Sequence, residues 1–133
     1  MIRYVVVSVA VGLLFGAMDV VINANAYAGK VFEAYGPIAR TSINAPAGMA
    51  IDIIYGFAMA GLFLLLYESL PGNTGVAKGS SLAAIAWFFR VAMSAASSWM
   101  MFNIPLRAVV YSLVTGMTEM LILGIVLGLT LRR

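Results

Sequence analysis

The hydrophobic positions of this chain fall into four long runs that are separated by shorter polar stretches. A helix needs about 20 apolar residues to cross the hydrocarbon core of a bilayer. The runs predict spans at residues 4–24, 47–67, 80–102 and 106–131. Spans of this length use most of the 133 residues. The sequence therefore predicts one membrane domain over residues 1–133, an all-α, up-down bundle of four transmembrane helices.

The stretch between the first two runs, residues 25–47, is too polar to span a membrane and is longer than most helix connections. Its apolar side chains recur at nearly helical spacing: Val31, Phe32, Tyr35 and Ile38. This spacing predicts a short amphipathic helix in the membrane interface, broken at Gly36 and Pro37. The alternative is an ordinary surface loop with scattered aromatic residues.

The first run allows a second interpretation. Arg3, the apolar core and the sequence ANAYA at residues 24–28 together resemble a signal peptide with its cleavage site. Asp19 interrupts the apolar core near its end, which favours an uncleaved helix. Small and polar residues share one face of that helix: Gly12, Gly16, Asp19 and Asn23. We expect the two glycines to permit close helix contact and the two polar side chains to face the bundle interior.

The third run carries an arginine near its middle. Arg90 lies roughly 15 Å along a helix from Ser80, close to the centre of a hydrocarbon slab about 30 Å thick. A guanidinium there costs about 2.5 to 3.5 kcal/mol on insertion scales, so Arg90 needs a partner or water. Ser80 or Ser81 is predicted to cap this helix.

Depth along the helices identifies the candidate partners of this arginine. Glu119 lies roughly 20 Å from the loop before the fourth run, near the level of Arg90, and we expect the two to pair. Asp19 and Asp52 lie roughly 8 to 9 Å from the same loop face and form a second layer. Further polar residues continue these helix faces: Asn23, Ser94, Ser97, Ser112 and Thr115. Together they predict a polar cavity that opens on the loop face and is closed beyond Arg90 by apolar helix ends.

Charge balance suggests what this site does. Three carboxylates and one arginine leave an excess of two negative charges if every group ionises. A medium of low dielectric favours either a protonated carboxyl or a bound cation. The leading hypothesis is a small carrier or channel-like protein that binds or moves a proton or small ion. The alternative is a structural subunit or assembly factor of a membrane complex, in which Arg90 and Glu119 only fix helix register. A third is a membrane enzyme or a protein that binds lipid or quinone.

Composition supports a membrane protein and narrows its chemistry. The chain is 63% hydrophobic and 10% charged, against roughly a quarter charged in soluble domains. It has no cysteine and no histidine, which excludes disulfides, thiolate metal sites and histidine general bases. Methionines in the third and fourth runs could suit Cu(I), but such residues are more typical of core packing. We predict no catalytic residues, no metal site and no cofactor.

Basic residues near the span ends predict the orientation. Those on the side of the termini are Arg3, Lys78, Arg132 and Arg133. Those on the opposite side are Lys30, Arg40 and Arg107. The positive-inside rule therefore favours cytoplasmic termini in a multi-pass protein of the cell (inner) membrane. The predicted partners are the lipid bilayer and a homo-oligomer or larger membrane complex, because four helices enclose little volume. The net charge of +3 is explained by these flanks, so we predict no nucleic-acid partner.

Overall fold

The computed structural model describes residues 1–131, which form an all-helical structure. Four of its helices are long and apolar enough to cross a membrane. Their bounds are Ile2–Asn23, Ala45–Leu66, Gly75–Met101 and Leu106–Thr130. The prediction of an all-α chain with four long apolar helices is therefore confirmed. The predicted stop of the last helix at Arg132 and Arg133 lies outside the described residues.

These helices are numbered in chain order together with the shorter ones. The first is α1, Ile2–Asn23, which is followed by α2, Ala26–Val31, and a 3-10 helix at Glu33–Ile38. Next come α3, Ala45–Leu66, and a long helix made of α4, Gly75–Ala86, a π-helix at Trp87–Ala92, and α5, Met93–Met101. The last is α6, Leu106–Thr130.

The segment between α1 and α3 contains two short helices, and its last residues, 39–44, are irregular. Asn25 begins α2, and its side-chain oxygen accepts a hydrogen bond from the Ala28 backbone N–H at 2.8 Å. The predicted break at Gly36 and Pro37 is wrong, because Pro37 lies inside the 3-10 helix and the two short helices meet at Phe32. The fixed φ of proline suits a 3-10 helix as well as it suits a turn.

The third long helix starts earlier than its hydrophobic run. Thr74 is its N-cap, since the Thr74 hydroxyl accepts a hydrogen bond from the Ala77 backbone N–H at 3.1 Å. The prediction of a cap at Ser80 or Ser81 is therefore wrong. Ser81 lies within the helix, and its hydroxyl donates to the Ala77 carbonyl at 3.0 Å. Capping, and not hydrophobicity, sets this end of the helix.

Glycines bring the long helices together in pairs. Gly12 of α1 packs against Ile53 and Gly56 of α3 so closely that a Cβ on Gly12 would lie 2.7 Å from the Ile53 Cα. Helices α4 and α6 meet backbone to backbone through Gly75, Gly79, Gly124 and Gly128. Contacts between α1 and α6 join the two pairs. The small residues thus permit the close helix contact that membrane proteins commonly use.

The buried core lies between the level of Arg90 and Glu119 and the end of the fold that carries the N-terminus. Phe15 of α1, Phe63 of α3 and Leu82 of α4 meet Leu123 and Leu127 of α6, and all five side chains are almost fully buried. Because α1 and α6 run in opposite directions, these residues fill the end of the fold that carries the N-terminus and the end of α6. This apolar core closes one end of the site described next.

Candidate functional site

A cavity of about 420 Å³ lies between α1, α5 and α6, beside the short helices that follow α1. The end next to the apolar core, which we call the deep end, is lined by Arg90 and Glu119. Its other end is formed by Phe32 and Tyr35, and by Ile104 in the turn before α6. The remaining lining residues are Asp19, Ile22, Asn23, Val91, Ser94, Ala95, Ser98, Ala108, Val109, Ser112, Thr115 and Gly116. The structure thus contains a polar cavity on the face where the sequence predicts one.

Arg90 lies among groups from three other helices. Its Nη1 is 3.8 Å from Oε2 of Glu119 on α6. Its guanidinium carbon is 4.5 Å from the ring centroid of Phe15 on α1 and 4.9 Å from that of Tyr55 on α3. The two rings stack on each other with centroids 4.8 Å apart. The arginine is therefore stabilised by one carboxylate and by two aromatic faces.

Glu119 is the most deeply buried charged residue of the site, with 3% of its surface exposed. Oε2 faces Arg90, whereas Oε1 is buried and has no hydrogen-bond partner. The Asp19 carboxyl lines the same cavity, but two ionised carboxylates have no proton to share. Glu119 therefore retains an oxygen that can accept a proton.

Asp19 and Asn23 occupy the α1 side of the cavity. Asp19 is partly buried, and the Asn23 side-chain amide donates to the Asp19 backbone carbonyl at 2.9 Å. Ser112 and Thr115 line the α6 side together with Glu119. Thr115 donates its hydroxyl proton to the Tyr111 carbonyl at 2.7 Å, which leaves the oxygen lone pairs able to accept from a ligand.

Two predicted site residues lie outside the cavity lining. The Asp52 carboxylate packs against α1 at Gly16, where a Cβ would lie 2.6 Å from Asp52 Oδ2. Ser97 is exposed, and Ser98 lines the cavity instead. The π-helix explains this change, because its wider turn delays the helical repeat after Arg90. The polar face therefore continues at Ser94 and Ser98.

Tyr111 connects the helices near the open end of the cavity, which is the end lined by Phe32, Tyr35 and Ile104. Its hydroxyl donates to the Ile22 carbonyl at 2.6 Å and accepts a hydrogen bond from the Asn25 side chain at 3.2 Å. Its ring also meets Tyr27 and Phe32 of the segment after α1, with centroids 5.5 Å and 5.7 Å away. The end of α1 and the short helices are thereby attached to α6.

Sequence reasoning missed the aromatic residues of the site. Phe15 precedes Asp19 by one helical turn, and Tyr55 follows Asp52 by three residues, so both lie on faces that the carboxylates already identify. The helical spacing of Phe32 and Tyr35 predicts a position in the membrane interface. No sequence signal shows that these two side chains reach a cavity. Helix periodicity alone could have suggested Phe15 and Tyr55, but it could not have suggested Phe32 and Tyr35.

Trp87 fixes the start of the π-helix against α6. Its indole N–H donates to the Leu113 carbonyl at 2.9 Å. π-Helical turns are rare and occur often at functional sites. The position of Arg90 within this turn therefore depends on a hydrogen bond that joins two of the long helices.

No group of three or more Asp, Glu, His or Cys side chains within residues 1–131 is arranged to hold a metal ion. Comparison with known proteins adds no further assignment. No protein-family model, curated protein or solved structure matches this chain. The geometry of the site is therefore the basis for the function proposed below.

Proposed function

We propose that the chain is an integral membrane protein with four spans that acts as a small carrier or channel-like protein for a proton or small ion. The observation that supports this function is the buried carboxylate of Glu119, which has one oxygen without a donor at the deep end of a polar cavity. Ionisable groups inside a membrane are costly, and they commonly mark ion pathways and proton relays.

The charges around Glu119 support a site for a positive species. The ionisable groups close enough to act on its charge are Asp19 of α1, Asp52 and Tyr55 of α3, and Arg90 of the π-helix. One arginine cannot neutralise three carboxylates, and the tyrosine hydroxyl already donates to the Met120 sulfur at 3.3 Å. A proton on one carboxyl or a bound cation would reduce the remaining repulsion.

The geometry suggests how such a protein would be oriented. With cytoplasmic termini, the cavity opens toward the outside and the apolar core lies on the cytoplasmic side. Passage to the cytoplasm then requires a second conformation or an assembly of several copies. A homo-oligomer is part of the proposal, since four helices leave little internal volume.

The test is ion flux in proteoliposomes under an imposed proton, sodium or potassium gradient. We expect a pH-dependent flux that Glu119→Gln and Asp19→Asn reduce by about tenfold or more, because each removes an acceptor for the moving charge. Glu33→Gln is the matched control, as Glu33 is exposed on the 3-10 helix. If the parent protein shows no flux under any of these gradients, transport of a proton or alkali-metal ion is excluded.

The alternative function is that of a structural subunit or assembly factor. The contacts of Arg90 favour it, since one side chain meets α1, α3 and α6 and could simply fix their register. This alternative predicts that charge removal at Asp19 changes neither flux nor stability, while loss of Arg90 disrupts the fold. Purification with native lipids would then recover the chain in a larger complex.

A further inference from the structure

We infer that the cavity binds a small organic cation with an N–H-bearing ammonium group, which is held by the carboxylates of the cavity lining. This inference rests on the proposed function and names the substrate class of the same site. Size, charge and hydrogen-bonding capacity of the cavity each contribute to it.

The size of the cavity favours an organic molecule over a bare ion. Its volume of about 420 Å³ falls within the range of small-molecule pockets, roughly 300 to 1,000 Å³. A water molecule occupies about 30 Å³ in the liquid, and a dehydrated sodium ion less. A site used by a proton or metal ion alone has no need of this space, whereas an amine of several heavy atoms fills a substantial part of it.

The charges of the lining favour a positive ligand. Asp19 and Glu119 contribute two carboxylates, and Arg90 contributes the one cationic side chain among the lining residues. Arg90 is already directed toward Oε2 of Glu119 and toward the rings of Phe15 and Tyr55. The carboxylate that remains accessible to a ligand is that of Asp19, which is only partly buried, and the buried charge of Glu119 lies in the same lining.

An acceptor of this kind distinguishes among cations. A primary ammonium offers N–H donors in several directions, and a hydrogen bond from a charged donor is stronger than a neutral one. A quaternary ammonium has no N–H, and sodium makes no hydrogen bond. The site should therefore prefer protonated amines to both.

The rest of the lining suits the body of such a molecule. Ser94, Ser98 and Ser112 present hydroxyl groups to the cavity wall. At the open end, the aromatic rings of Phe32 and Tyr35 would attract a cation as it enters. A short amine with a polar or weakly apolar tail matches these surroundings.

The test is calorimetric titration of the full-length protein in lipid nanodiscs with the chlorides of ethylammonium, tetramethylammonium and sodium, and with glycine. We expect ethylammonium to bind about tenfold or more tightly than the other three probes. Glu119→Gln should weaken ethylammonium binding by at least about tenfold, because the amide offers a poorer acceptor and no charge. Glu33→Gln should bind as the parent does.

A second pair of variants keeps the test decisive if Glu119→Gln fails to fold. Ser112→Leu adds bulk to the cavity wall, whereas Val114→Leu adds a similar side chain at an exposed position of the same helix. Ser112→Leu should weaken ethylammonium binding by about tenfold, and Val114→Leu should leave it unchanged. Circular dichroism and size-exclusion chromatography establish that both variants are folded.

Several results would overturn the inference. Equal binding of ethylammonium by the parent and by a folded Ser112→Leu variant would show that the ligand does not bind in the cavity. If tetramethylammonium binds as tightly as ethylammonium or more tightly, an N–H donor is not required for binding. If glycine binds more tightly than ethylammonium, the site favours a zwitterion whose carboxylate pairs with Arg90.

The outcomes also separate this inference from the proposed function. A Glu119-dependent proton or sodium flux without ethylammonium binding would overturn the substrate class and leave the carrier function standing. Ethylammonium binding that depends on Glu119, without flux of any ion, would support the site and overturn the carrier function.

Discussion

Glu119 presents one carboxylate oxygen to Arg90 and leaves the other without a donor. Oε2 is 3.8 Å from Arg90 Nη1, and Oε1 is buried with no hydrogen-bond partner. The exposed side-chain fractions are also unequal, at 38% for Arg90 and 4% for Glu119. Removing either partner should therefore have different consequences for the other.

We expect Arg90→Met to destabilise the fold more than Glu119→Gln does. Arg90→Met strands a buried carboxylate, and because Arg90 is 38% exposed the cost should be below the roughly 3 to 5 kcal/mol of a fully buried pair. Glu119→Gln leaves an arginine that still contacts the cavity and two aromatic rings. The free energy of unfolding in mixed micelles measures both losses. The double variant should recover part of the loss, and strictly additive losses would show that the two side chains do not interact.

Trp87→Phe should weaken the contact between the π-helix and α6. It removes the hydrogen bond from the indole to the Leu113 carbonyl, which is worth about 1 kcal/mol of unfolding free energy. Trp99→Phe is the control, because Trp99 is 58% exposed and a surface substitution changes stability by about 0.5 kcal/mol or less. Equal losses in the two variants would contradict a specific role for the Trp87 hydrogen bond.

Gly79→Ala should separate α4 from α6. A Cβ on Gly79 would overlap the Gly124 backbone, so one helix must move, at a cost of about 1 to 3 kcal/mol. The matched change Gly48→Ala in α3 meets no atom within 4 Å. It should be neutral or stabilise the helix by up to about 1 kcal/mol. Unfolding curves for the two alanine variants measure the difference, and a stable Gly79→Ala protein would argue against this helix contact.

Single cysteines should show that the termini and the short helices lie on opposite sides of the membrane. The chain has no cysteine of its own, so Ile2→Cys and Ala34→Cys each introduce a single thiol. In intact cells a membrane-impermeant maleimide should label Ala34→Cys, and it should label Ile2→Cys only after the membrane is opened. Labelling of both in intact cells would contradict the proposed orientation, and protection of both would place the short helices in the cytoplasm.

Much of the fold could be predicted because hydrophobic length is a strong signal. The bounds of α1, α3 and α6 differ from the predicted spans by a few residues, as capping sets helix ends more than hydropathy does. The proximity of Arg90 and Glu119 followed from the constant rise of a helix and the need to compensate a charge. The depths of Arg90 and Glu119 along their helix axes could thus be predicted from the sequence.

Rotation about a helix axis was harder to predict. The π-helix at Trp87–Ala92 has no glycine or proline to mark it, yet it changes which serine faces the cavity. Asp52 is predicted to lie at the depth of Asp19, but it packs beside Gly12 and Gly16, closer to the N-terminus of α1, and it does not line the cavity. These details depend on how neighbouring helices pack, and one sequence does not record that packing.

The glycine contact between α4 and α6 has a mechanical consequence for the cavity. Gly79 and Gly124 join the two helices at the end of the fold that holds the apolar core, whereas Ser98 and Ala108 line the cavity near the other end. Two helices that are in close contact at one end can change their spacing mainly at the other end. A small rotation about this glycine contact would therefore widen or narrow the cavity while leaving the core almost undisturbed.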